Sequence, residues 1–287
     1  MTVHSATPTP AGSSRAPASS AHDAAAAAAW RSVVAWVVGA LVLRTLLASL
    51  VPLLPDETYY WVWSRRVQGG YFDHPPGIAL LIALGTALGG QTTAGVRLGP
   101  ALAALVMHGA AVVSAWWLAG RGVAGARAAA RIALLITVMP LATLGLVLAT
   151  PDAALFATVM VALLAVERAL AAPLRSGQSF GWWTLAGVGL GAAFVSKYTA
   201  VLLPFGLVVA CLLHPALRRR FAEPGPWWAS AVALSLFAPV AIWNARHDWI
   251  SFRFQLGHGF NAVTRGTVLS RELELVGAQA GLASPIL

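Results

Sequence analysis

Charge and cysteine are what this sequence has least of. Only 10% of its 287 residues are charged while 58% are hydrophobic, and a water-soluble domain of that size could not cover itself with so few polar side chains. The scarcity points to the bilayer. The single cysteine, Cys211, sits inside an apolar run, which excludes a disulfide framework and a cysteine-based metal site. Lysine is almost absent, since eighteen of the nineteen basic residues are arginine and Lys197 is the exception. The arginines behind the net charge of +9 are scattered between apolar runs rather than gathered in a stripe beside stacking aromatics, which argues against a nucleic-acid partner. Also missing are a glycine-rich phosphate loop and the His-Glu-x-x-His and Gly-x-Ser-x-Gly motifs, so a soluble nucleotide-sugar donor is not indicated.

What remains is a series of apolar runs. A helix needs about 20 such residues to cross the hydrocarbon layer. Suitable runs lie at 32–54, 98–119, 132–150, 153–171 and 227–243, with 183–213 read as two crossings broken near Ser196, Lys197 and Tyr198. The fold class is therefore an all-α polytopic membrane bundle. The run 76–90, opened by Pro75 and Pro76 and closed by Gly89 and Gly90, is short for a crossing and reads as a re-entrant or surface helix beside the membrane. Residues 1–29, rich in Ala, Ser, Thr and Pro, read as a disordered cytoplasmic tail. The membrane domain then occupies 30–287 and reads as incomplete at its C-terminal side, where the apolar segment from Val276 to Leu287 is about half a crossing.

The charges set an orientation. With a cytoplasmic N-terminus, the inner segments hold ten arginines against three acids, and the outer ones eight basic residues against seven acids, in keeping with the positive-inside rule. Trp116 with Trp117, Trp182 with Trp183 and Trp227 with Trp228 then fall at the inner interface, where indoles prefer to lie. Seven of the ten acids and the only lysine share the outer face.

Chemistry is therefore sought on that face. Asp56 and Glu57 stand where the first crossing leaves the membrane, a place where desolvation raises a carboxylate's pKa and improves it as a base. Tyr59 and Tyr60 offer stacking faces for a sugar or a membrane anchor, and Asp73 and His74 follow in Tyr71-Phe72-Asp73-His74-Pro75-Pro76. Asp152, in Thr150-Pro151-Asp152, suits either a helix start or a site. Lys197 is a lone ammonium between apolar half-runs, which calls for an anionic partner such as phosphate or for snorkelling to the headgroups. Arg246 and His247 leave the membrane together beside Trp243 and Asn244. Arg44 lies within the first crossing, where its charge calls for an acid. Asp56, Glu57 and His74 are ligand types able to hold a divalent ion, although no cofactor is required.

In order and spacing, Asp56-Glu57, Tyr71-Phe72-Asp73-His74-Pro75-Pro76, Thr150-Pro151-Asp152 and Ser196-Lys197-Tyr198 resemble the protein O-mannosyltransferases and lipid A aminoarabinose transferases, glycosyltransferases of the GT-C fold, from about residue 32 onward. The resemblance implies inverting transfer from a polyprenyl-phosphate sugar to a hydroxyl of a glycolipid or protein on the periplasmic face of the inner membrane. It points to Asp56 as the base and to Asp152 as an acid shaping the donor or acceptor site. The aminoarabinose transferases carry Lys where this chain has His74 and Arg where it has Tyr59, positions implied to serve the lipid phosphate. A transporter or flippase is the rival reading, from Arg44 and the break at Lys197, but the spans show no internal repeat.

Overall fold

The computed structural model describes residues 16–260 and 268–283, and among them there is no β-strand. Helix α1 (Ala16–Leu50) is followed by the short α2 (Pro55–Ser64), then α3 (Gly77–Gly89), α4 (Thr93–Leu118), α5 (Gly122–Val138), α6 (Pro140–Gly145), α7 (Pro151–Ala171) and α8 (Gly177–Ser196). After a 3-10 turn over Tyr198–Val201 come α9 (Leu202–Leu213), α10 (Pro215–Arg218), α11 (Pro224–Arg246), α12 (Ile250–Phe260) and α13 (Val268–Ala283). Among the described residues, four helices are long and apolar enough to cross a membrane: Ser20–Leu50 within α1, then α4, α7 and α11. The chain is a multi-pass membrane protein.

Packing runs in sequence from α5 through α1, α4, α7 and α8 to α11, with α3 laid against α4. The helices approach through small residues, as membrane helices must when no hydrophobic gain separates lipid from protein contact. A Cβ on Gly189 of α8 would stand 2.8 Å from the Ala162 nitrogen of α7, and one on Gly187 would stand 2.5 Å from the Ala229 oxygen of α11. Alanines such as Ala153, Ala165 and Ala193 fill what remains, each fully buried. Outward-facing leucines, valines and phenylalanines, Leu46, Leu84, Phe205 and Leu234 among them, leave the apolar belt that lipid covers.

Helix boundaries follow local chemistry. Thr92 and Ser176 cap α4 and α8, their hydroxyls accepting from Gly95 N and Ser179 N at 3.0 Å each. Pro55, Pro140, Pro151 and Pro224 open α2, α6, α7 and α11, where a missing N–H costs nothing.

Several expectations change. Residues 16–29, expected to be disordered, belong to α1; residues 1–15 lie outside the described ones, as do the final 284–287. The run 132–150 is not one straight crossing, because Pro140 splits it into α5 and α6. Arg44 finds no acid among the described residues. It is buried and turns its Nη2 to the Ala142 carbonyl of α6 at 3.4 Å, within the stretch that Pro140 interrupts. One of the two features behind the transporter reading is thus engaged in helix packing. The expected break at Lys197 is present, the residue lying extended between α8 and the 3-10 turn.

Candidate active site

The site is built around α2. Its first turn carries Asp56 and Glu57, suited to the positive end of a helix, but the two acids part company. Glu57 is fully buried. Its carboxylate accepts from Arg97 Nε at 2.7 Å and Arg97 Nη2 at 2.5 Å, from Leu54 N at 2.9 Å and from Ala149 N at 2.9 Å. Arg97, itself 1% exposed, spends its remaining donors on the carbonyls of Ala48, Val51 and Pro52. Burial alone would push the Glu57 carboxyl up. The Arg97 guanidinium and the two backbone N–H groups outweigh it and hold the group below its ordinary value. A carboxylate so committed cannot take a proton from a substrate, so Glu57, expected among the catalytic acids, instead ties α2 to the end of α1, the start of α4 and the entry to α7.

Asp56, one position earlier, faces the other way. It is exposed rather than desolvated, and no hydrogen bond or ion pair engages it among the described residues. The buried face of the same helix turns Tyr60 and Trp63 inward. Trp63 stacks flat on Tyr71, with ring centroids 4.2 Å apart and planes 1° apart. The Tyr71 hydroxyl lies 3.0 Å from the carbonyls of both Trp63 and Arg66 and accepts from Gln68 N. That stack folds 65–76 back over α2 and delivers Asp73 and His74 to the site. Helix α12 closes the loop from the far side: Ser251 Oγ donates to the Tyr71 carbonyl, and Gln255 Nε2 to that of Asp73 at 2.6 Å.

Asp152, in the first turn of α7, meets Lys197 across the bundle, the ammonium lying 2.8 and 2.9 Å from the two carboxylate oxygens. The pair is only partly buried, 38% of the Asp152 side chain and 27% of that of Lys197 remaining open. Lys197 is placed by the helix break, and the break by two contacts. Gly77, at the start of α3, abuts it so closely that a Cβ there would stand 2.7 Å from the Ser196 Cα. The hydroxyl of Tyr198 accepts from Asn244 Nδ2 of α11 at 3.2 Å.

These groups share one field. The Tyr60 phenol is pushed well above its ordinary value, first by burial and then by the negative charges of Asp73, Asp56 and Asp152. His74 is pushed down, chiefly by burial; Asp73 and Asp152 oppose that and Lys197 reinforces it. Its Nδ1 is shut from solvent with no partner among the described residues, and that burial is what disfavours the cation. The Tyr59 hydroxyl lies 3.4 Å from Asp73 Oδ1. Beneath the site, an apolar cleft of about 420 Å³ runs between α3, α4, α7 and α8, from Gly77 and Ser196 at its head past Thr158 and Val188 to Leu84 and Val106.

The structure thus brings Asp56, Tyr59, Tyr60, Asp73, His74, Asp152 and Lys197 together and turns the imidazole of one other expected residue, His247, aside. Arg246 and His247 are exposed at the end of α11. The His247 ring stacks on Trp243 at 4.0 Å, with Nδ1 2.7 Å from the Trp243 carbonyl, which turns it toward its own helix instead of the Asp152–Lys197 pair. An ion held by Asp56, Glu57 and His74 does not fit, because both Glu57 oxygens are taken; among the described residues no three His, Cys, Asp or Glu side chains form a metal-binding group. Asn244, noted in the sequence beside Arg246 and His247, acts as a positioning residue, and Arg97, Ser251 and Gln255 are positioning residues that the sequence did not single out. Only Arg97 carried a signal, a charge at the mouth of a crossing with no acid within helix reach.

An all-helical membrane bundle with acids and a lysine converging at the mouth of an apolar cleft is the architecture of GT-C membrane glycosyltransferases. The sequence profile of the dolichyl-phosphate-mannose-protein mannosyltransferase family matches residues 73–243, and the chain belongs to that family. It is 32% identical over 238 residues to the lipid A galacturonosyltransferase RgtD of Rhizobium johnstonii, covering 81% of this chain and 46% of that protein. Identity is likewise 32% over 211 residues to the undecaprenyl phosphate-alpha-4-amino-4-deoxy-L-arabinose arabinosyl transferase of Pseudomonas paraeruginosa, covering 65% of this chain and 36% of that one. Among solved structures, apo ArnT from Cupriavidus metallidurans superposes with a TM-score of 0.62 at 25% identity, over 79% of this chain and 44% of its own. The sugar-donor-bound Pmt1–Pmt2 complex of S. cerevisiae shares the fold, with a TM-score of 0.56 at 16% identity over 78% of this chain and 34% of its own. The chain spans less than half the length of these relatives.

Proposed function

We propose that this chain carries the catalytic face of a membrane glycosyltransferase that moves a sugar, with inversion, from a polyprenyl-phosphate carrier to a hydroxyl of a glycolipid such as lipid A or of a protein. The carrying observation is the division of labour among the acids. Glu57 is spent on Arg97 and Asp152 on Lys197, while Asp56 stands exposed and uncommitted at the same site. A lipid phosphate is already a good leaving group, so the reaction needs a base for the incoming hydroxyl and a cation for the departing phosphate. Asp56 accepts the hydroxyl proton as the acceptor oxygen attacks the anomeric carbon. The sugar–phosphate bond breaks on the opposite face, and Lys197, shared with Asp152, receives the phosphate charge. The apolar cleft below it takes the polyprenyl chain, and Tyr59, Tyr60 and Asp73 line the sugar. His74 donates or accepts a hydrogen bond as a neutral ring, and no metal is required.

The site faces the periplasm in this reading, the protein lying in the inner membrane with its N-terminus in the cytoplasm, as the excess of arginine on the opposite side favours. The test is transfer from a radiolabelled polyprenyl-phosphate sugar by the full-length protein, with a chelator present. Asp56→Asn is expected to lose roughly 10²–10⁴-fold in rate with its folding intact. An Asp56→Asn variant as active as wild type removes the base, and a rate abolished by the chelator removes the metal-free step.

A further inference from the structure

The end of α4 opposite the candidate site holds a second charged arrangement that the proposed transfer does not use. Arg97, at the site, and Trp117 are twenty residues apart on one helix, about 30 Å along its axis, which is close to the thickness of the hydrocarbon layer. Trp117 therefore lies at the other headgroup level, beside Trp116, which packs edge-on against Trp30 at 6.1 Å. Two arginines converge on the Trp117 indole. The Arg121 guanidinium carbon is 3.4 Å from the ring centroid and that of Arg168 is 3.7 Å from it.

The two cations are thus no more than about 7 Å apart, the sum of those distances, where repulsion between like charges is appreciable outside bulk water. One local acid, Glu167, pairs with Arg168, which leaves a net charge of +1 on the two guanidiniums. Glu167 lies 3.7 Å from Arg168 Nη1, and its other oxygen accepts from the Ser114 hydroxyl. Arg121 has no acid partner among the described residues, and the Arg168 Nε is shut from solvent without an acceptor among them. Glu223, on the same face, is engaged by Arg220 and by the Arg175 N–H. Arg121 is also held with φ at 64°, between Gly120 and Gly122 that are likewise positive, and this turn brings its side chain back over the indole.

We propose that Arg121 and Arg168, held apart by Trp117, form a binding site for the phosphodiester of an anionic phospholipid in the leaflet opposite the candidate active site. One phosphate placed against the open edges of both guanidiniums supplies the negative charge that Glu167 alone leaves short. Its depth beside three interfacial tryptophans favours a lipid headgroup over a free anion.

The test uses the full-length protein purified in mild detergent and supplied with mixed micelles of phosphatidylglycerol or phosphatidylcholine, with retained lipid counted by native mass spectrometry. Wild type is expected to keep phosphatidylglycerol in preference to phosphatidylcholine. Arg121→Gln and Arg168→Gln should each lower that retention about fivefold, while Arg131→Gln, an exposed arginine farther along α5, leaves it unchanged. The double variant Arg121→Lys with Arg168→Lys, which keeps both charges, should keep most of the lipid. Should a Gln variant misfold, the comparison of the two lipids on wild type still decides. Equal retention of both lipids, equal loss in Arg131→Gln, or displacement of the lipid by millimolar inorganic phosphate would overturn the proposal.

Discussion

Replacing Glu57 by Gln tests whether the acid beside the proposed base is structural. The change keeps shape and volume but removes the charge opposite a guanidinium that is 1% exposed, and it sets an amide N–H₂ against a donor where the carboxylate accepted four bonds. Removing one member of a buried pair typically costs about 3–5 kcal/mol. The three carbonyls that also hold Arg97 put the expected loss near the lower end of that range. In detergent, thermal unfolding of Glu57→Gln should fall by on the order of 10 °C. Combining it with Arg97→Met should recover more than half of the loss, since no charge then remains buried without a counter-ion. The pH dependence follows from the same contacts. The folded carboxyl titrates below its ordinary 4.5, so the stabilisation is fully present above that pH and is lost as pH falls through the lower folded value. Wild type should therefore lose stability on acidification more steeply than Glu57→Gln. A Glu57→Gln midpoint within 1–2 °C of wild type, or a double variant no better than the single, would refute a structural role.

Other perturbations separate the remaining roles. Lys197→Ala removes the proposed phosphate cation and should raise the donor KM by about 10- to 100-fold, with unfolding little changed because the pair is partly open to solvent; an unaltered KM measured with labelled donor would dismiss it. Because burial holds His74 below its ordinary 6.5, donor KM for wild type and His74→Gln should run in parallel between pH 6.5 and 8. A wild-type KM that climbs across that range while the variant's stays flat would show a charged imidazole at work. Below pH 6.5 the unfolded chain binds that proton first, so this residue lowers wild-type stability as acid is added. Gly77→Val should drive α3 off the break at Lys197, costing about 1–3 kcal/mol and lowering kcat/KM for the donor; normal turnover and melting would show that the 2.7 Å approach to Ser196 is not needed.

Long apolar runs made the crossings legible, because length and hydropathy are local properties, and the break at Lys197 showed itself as a polar interruption of such a run. The gathering of Asp56, Asp73, His74, Asp152 and Lys197 was legible through motif order. What sequence reading did not supply was direction around a helix. Asp56 and Glu57 are adjacent, so they point about 100° apart, and only packing decides which one is buried; Arg97, forty positions away, makes that decision. Arg44 was expected to need an acid because a charge in lipid is costly. The carbonyl it binds lies where Pro140 splits a helical run, a feature that hydropathy cannot display. Arg246 and His247 share the right face with the site, but stacking on Trp243 takes the imidazole elsewhere.

The contacts of Glu57 also join distant stretches of the chain. Its carboxylate meets Arg97 forty residues later and the Ala149 N–H ninety-two residues later. The full set of acceptor contacts therefore requires the arginine of the next crossing and the segment leading into α7 to be in place together. The surface that presents Asp56 is consequently complete only when α1, α4 and the entry to α7 are matched.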